Sequence, residues 1–183
     1  MPYLLAILIG LAIGWLRGGR LANLPKLRLR WLWVVPLVLI IQLLIFPSFL
    51  PSPLLPYATV PLHLLSYAVL IAWLVVNLRA APMGVLLFGA VSNFTVVASN
   101  GGRMPASVTA LERAGLLRAA SGLLEGETPA NVMLMSSSTR LNVLGDWLYL
   151  PESVPFATAF SIGDVLIMVG LGWLIARGMK ANG

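Results

Sequence analysis

Two aspartates, Asp146 and Asp164, are the residues whose type and spacing could do chemistry. The chain of 183 residues holds only six acidic side chains, and these two flank the start of its last apolar segment. A carboxylate in lipid costs roughly 2.5–3.5 kcal/mol or more, so it is a functional candidate by default. Two carboxylates brought together in a poorly solvated site cannot both ionise easily. One retains a proton, and such a pair can activate water, which is the chemistry of an aspartyl protease. The residues offer a second reading. Ser161 can be the N-cap of the last helix and Asp164 its N3 residue, an S-x-x-D pattern that leaves Asp146 an ordinary turn residue and the pair structural.

The elements that must position the pair are written in the composition. The chain is 59% hydrophobic and 10% charged, against roughly a quarter charged in soluble domains. It reads as an all-α polytopic membrane protein, a single bundle of about five transmembrane helices with a capping segment on the outer face. The spans fall at about 3–16, 31–49, 59–78, 82–98 and 156–176, and the outer segment at 99–155. The first is short, retained rather than cleaved, and carries Gly10 and Gly14 at a spacing that allows close helix approach. Pro36 is a possible kink in the second, with Trp31 and Trp33 as interfacial anchors. The proline-rich stretch 50–58 is an outer turn.

Charge sets the orientation. The segments 17–30 and 79–82 and the tail carry eight Lys or Arg and no acid, whereas 99–155 balances four Arg against five acids. Positive residues concentrate on the cytoplasmic side. The reading is therefore a bacterial inner-membrane protein with its N-terminus outside and its C-terminus in the cytoplasm. The basic excess between apolar segments speaks for topology, and for contact with anionic lipid, rather than for nucleic acid. No cysteine is present, which removes disulfides and thiolate chemistry. The lone His63 makes a poor metal site and a better structural hydrogen-bonding residue. No metal or cofactor site is expected.

In the outer segment, 107–120 reads as one amphipathic helix, with Thr109 and Glu112 at capping-box spacing. A loop is expected over 122–131, and a short strand or dipping segment over 132–135. A re-entrant loop over 148–160 would bring the two aspartates together. The motif Asn100-Gly101-Gly102-Arg103-Met104-Pro105 gives a sharp turn. It places Arg103 at the interface, either snorkelling, pairing with Asp146 or Asp164, or holding a lipid phosphate.

Around its aspartates the chain resembles signal peptidase II, the aspartyl protease that trims bacterial prolipoproteins. Gly145-Asp146-Trp147 takes the place of that family's first catalytic Asp, and Phe160-Ser161-Ile162-Gly163-Asp164 that of its F-N-x-A-D motif. Gly89-Ala90-Val91-Ser92-Asn93 is similar to its G-x-x-x-N stretch. The resemblance implies Asp146 and Asp164 as a catalytic dyad. Ser161 and Gly163 replace the motif's Asn and Ala, and no Asp-Arg follows Asn93. Over its whole length the chain also resembles a family of small bacterial multi-pass membrane proteins of no assigned activity. They share N-G-G-x-M-P, L-G-D and F-S-I-G-D, here residues 100–105, 144–146 and 160–164.

Three function classes follow. The first is an aspartyl hydrolase acting on a membrane-anchored substrate, with Asp146 and Asp164 catalytic and Asn93, Asn100 and Arg103 in support. The second is a non-catalytic accessory or scaffold subunit of a larger membrane complex. The third is a lipid-binding or small transport protein, for which the spans carry few charges and no repeat.

Overall fold

The computed structural model describes residues 2–46, 54–126 and 131–180. The expected turn at 50–58, the end of the second span and part of the 122–131 loop lie partly outside them. The protein is mostly helical. Five apolar helices form its body: α1 (Pro2–Leu16), α2 (Val34–Ile45), α3 (Thr59–Val76), α4 (Met83–Ser99) and, after the cap, α7 (Ile162–Lys180). Of these, α3 and α7 are long and apolar enough to cross a membrane, and the other three are shorter. Pro36 falls in the first turn of α2, where the N–H groups of a helix have no intrahelical acceptor to lose.

The helix order in space is α1, α7, α4, α3, α2, with α7 packed between the first helix and the fourth. Glycine permits this. A Cβ on Gly10 would come within 2.7 Å of the Gly172 carbonyl oxygen, and one on Gly89 within 2.6 Å of that of Gly163. Backbones meet where no side chain intervenes, which is how apolar helices associate when burial from water is not the driving force. The glycine spacing expected to form a packing face in α1 does so against α7. Farther along, Val34, Val38, Trp73, Leu74, Met83, Leu86 and Ala90 close the core between α2, α3 and α4.

The cap departs from its sequence reading in three places. The single helix expected over 107–120 is two, α5 (Val108–Arg113) and α6 (Leu117–Leu124), because Gly115 at φ +73° turns the chain between them. Residues 122–124 therefore belong to α6 and not to a loop. Ser107 is the cap of α5, its hydroxyl accepting from the Ala110 N–H at 3.4 Å; the Thr109–Glu112 box does not form.

The third departure is in the β structure. Strand β1 (Met104–Ala106) pairs in parallel with β2 (Val132–Leu134), where the short strand is expected. The stretch 148–160 is no re-entrant loop. It is an antiparallel hairpin of β3 (Leu148–Leu150) and β4 (Thr158–Phe160), in register Leu148 to Phe160 and Leu150 to Thr158. The last helix consequently begins at 162 and not 156. Its would-be first turn satisfies its backbone in the hairpin instead. Leu111, Leu123 and Ala106 fill a small core beneath the cap.

Candidate functional site

A hairpin returns the chain to where it left. Asp146 stands two residues before Leu148, and Ser161 directly follows Phe160, its strand partner. The aspartates therefore reach one end of the helical body through strand pairing.

Asp164 sits in the first turn of α7, and three elements supply its partners. The Tyr3 hydroxyl, from the start of α1, donates to Oδ1. Asn93 Nδ2, from α4, donates to the same oxygen at 2.8 Å. The Ser161 N–H reaches Oδ2 at 2.9 Å, and the Asp164 N–H donates back to Ser161 Oγ at 3.0 Å. This is a reciprocal capping box, Ser161 at N-cap and Asp164 at N3. Ser161 Oγ also lies 2.9 Å from both Asp164 Oδ2 and Asn93 Oδ1. Its one proton serves either of them. Ser161 and Asn93 are buried. The Asp164 side chain also stands at the positive end of the α7 dipole.

Gly163 completes this socket. A Cβ there would collide with Asn93 Oδ1 and the Gly89 carbonyl. The missing side chain at Gly163 is thus what lets Asn93 reach Asp164.

Asp146 is held differently. Its backbone is tied to β1, its N–H donating to the Pro105 carbonyl and its own carbonyl accepting from the Ser107 N–H, each at 2.9 Å. Its side chain is not tied. Oδ1 is buried without a hydrogen-bond partner among the described residues. Burial first, and the neighbouring Asp164 carboxylate second, push its carboxyl up from 3.8 to about 7. The two aspartates are thus within electrostatic reach of each other. Tyr67, on α3, stands beside Asn93 and within reach of both.

The other sequence candidates divide. Asn100 is a clamp: Nδ2 donates to the Val96 and Arg140 carbonyls and Oδ1 accepts from the Arg140 N–H, all at 2.8 Å. It pins the loop leading to Asp146 onto the end of α4. Arg103 is half-buried and pairs with neither aspartate, since Asp164 is occupied by Tyr3, Asn93 and Ser161, and Asp146 Oδ1 has no partner among the described residues. His63 has the structural part expected of it, its Nδ1 lying 3.1 Å from the Gly102 carbonyl. Beyond these, the structure adds Tyr3 and Tyr67. Both are tyrosines on apolar helices, ordinarily read as interfacial anchors; only their depth, level with the aspartates, could have drawn attention to them.

Residues 26–176 match DUF5317, a family of unknown function. The chain belongs to this family. The matched region holds Asn93, Asn100, Arg103, Asp146, Ser161 and Asp164, and leaves out Tyr3. No curated protein and no solved structure matches the chain.

Proposed function

We propose that this protein is a multi-pass inner-membrane protein in which Asp146, positioned beside Asp164, is the acid–base group that hydrolyses a membrane-anchored substrate, in the manner of signal peptidase II. In this reading all five apolar helices of the body span, with the cap outside and the basic end in the cytoplasm. Two observations support that placement. In α3 and α7 only 22% and 28% of the most apolar stretch is buried, which suits lipid-facing helices and not the core helices of a soluble protein. Basic residues without acids occupy the end opposite the cap.

The observation that carries the catalytic reading is the contrast between the carboxyls. Asp164 is saturated with donors and fixed. Asp146 is buried, has an oxygen with no partner, and titrates near neutral pH beside another carboxylate. A group poised near the working pH is the one suited to exchange a proton with water. Asp146 takes that proton from the attacking water and returns it to the leaving amine, while Asp164 with its donors holds the polar surroundings in place. Trp147 and Val143, which flank Asp146 in the chain, are exposed, an apolar rim suited to a substrate arriving in the membrane plane.

The test compares the amino termini of membrane proteins in cells bearing the wild-type chain and the Asp146→Asn variant. Asp146 Oδ1 makes no hydrogen bond, so this change does not unfold the site. Loss of a defined cleavage supports the enzyme; identical termini remove it.

A second reading has its own observation. The reciprocal cap accounts for Asp164 without any catalysis, and Leu37, Leu39, Ile40 and Leu43 of α2 are exposed. These would suit an accessory subunit docking on a larger membrane complex. Recovery of a stoichiometric partner in mild detergent, lost when Ile40 and Leu43 become Ser, supports it.

A further inference from the structure

From Leu5 to Arg17, α1 and α7 leave a groove between them of about 430 Å³ that reaches the basic end at Arg17, within the range of small-ligand pockets, roughly 300–1,000 Å³. Ala6 and Gly172 give it room, Ile9, Val169 and Trp173 wall it, and Arg17 is the one polar side chain lining it. Arg17 stands one residue beyond the end of α1 and is exposed, and the segments around it hold cations and no acid. On the other flank of α1 a second groove of about 430 Å³ repeats the plan, with Trp15 and Leu11 beside Arg20.

We infer that the groove between α1 and α7 binds an anionic phospholipid, one acyl chain lying along Ala6, Ile9 and Gly172 and the phosphate meeting Arg17. The inference rests on the membrane placement proposed above, and not on the hydrolase. An apolar groove on a lipid-facing surface fills with an aliphatic chain, because lipid is the only solvent there. The chain's headgroup then arrives at the level of the basic loop. Arg presents a planar fork that grips phosphate with two parallel N–H donors, and it is weakly hydrated, so it gives up water readily. Every phospholipid has a phosphate, so the groove alone would take any of them. The net charge decides the class. A zwitterionic headgroup brings its own cation towards eight others, whereas an anionic one does not. The helix α1, roughly 22 Å long at 1.5 Å per residue, is short for a ~30 Å core; a lipid fixed at Arg17 steadies its cytoplasmic end.

The experiment is native mass spectrometry of the full chain, released from nanodiscs of equimolar phosphatidylglycerol and phosphatidylcholine. Wild type is expected to retain phosphatidylglycerol about fivefold over phosphatidylcholine, the ratio that roughly one favourable charge at a membrane surface corresponds to. Arg17→Gln should remove the preference. Arg177→Gln lowers the charge of the same end equally but lies outside the groove, and should keep it. Val169→Trp fills the groove from an exposed position and should reduce retention of both lipids. Equal retention by wild type, or equal effects of Arg17→Gln and Arg177→Gln, overturns the site in favour of a diffuse charge effect. Failure of the membrane placement is seen separately, as protein that stays soluble without detergent.

Discussion

Asp164 and Asp146 are the same residue in two opposite settings, one built by helices and one by a loop. The first lies in a socket to which α1, α4 and the turn into α7 each bring a donor, drawn together because Gly89 and Gly163 let two helices touch. The second is anchored only through its backbone, beside β1, and its side chain has an idle oxygen. A buried carboxyl can thus be locked by several donors or left with an oxygen that none of the described residues satisfies. The number of donors it accepts separates the two.

The most severe test of this contrast sets Asp164→Ala against Asp146→Asn. Removing Asp164 strands Tyr3, Asn93 and the Ser161 N–H. It should cost roughly 3–5 kcal/mol, read as a large fall in unfolding midpoint in detergent. Asp146→Asn should change stability by less than about 1 kcal/mol near pH 4, where the folded carboxyl is protonated as the amide is neutral and no hydrogen bond is lost. If the two substitutions are equally harmful, the division of roles collapses.

Titration probes the same contrast more finely. Folding raises the Asp146 carboxyl from 3.8 to about 7. The folded state therefore binds the extra proton, and its stability is fully present below the unfolded value. That contribution is lost as pH rises from about 4 to about 7, where wild type should weaken by up to a few kcal/mol. Asp146→Asn should flatten this limb of the stability curve measured by chemical unfolding across pH. An unchanged slope would place the titration elsewhere.

Smaller effects test the socket's walls. Gly163→Ala puts a methyl into Asn93 Oδ1 and the Gly89 carbonyl, and overpacking of this kind costs about 1–3 kcal/mol. Gly84→Ala, in the same helix as Gly89 but with nothing near its Cβ, should be neutral or slightly stabilising. Tyr3→Phe removes one donor of the set and should lower stability by about 1 kcal/mol. Thermal unfolding of these three variants side by side ranks them, and a Gly84→Ala effect as large as that of Gly163→Ala would contradict a tight α4–α7 contact.

Much of the helical body is legible in the sequence. Long uncharged runs read as apolar helices in a chain this hydrophobic, and the glycines of α1 allow the close neighbour that α7 supplies. The Ser161–Asp164 cap is legible too, since a capping box is local, a few residues of one turn reading one another. The interior of the outer segment is not. Residues 107–120 have the period of a single helix, and the break at Gly115 depends on Glu152 lying where a Cβ would otherwise go. Nor does the stretch 148–160 alternate strongly enough to announce a hairpin, so its pairing is decided by contacts such as Tyr149 with Ala159, across the turn between them.

Composition and local capping prescribe a mostly helical, apolar protein with its cations at one end and two isolated aspartates near the other. Those signals act within a few residues, so they can be read along one dimension. Which aspartate collects donors, and which keeps a buried oxygen without a partner among the described residues, is settled only in three dimensions. Tyr3 stands 161 residues from Asp164 and Asn93 stands 71 away, and no period or spacing encodes their meeting. It follows from helix backbones touching at Gly89 and Gly163, and from a hairpin that ends where it began.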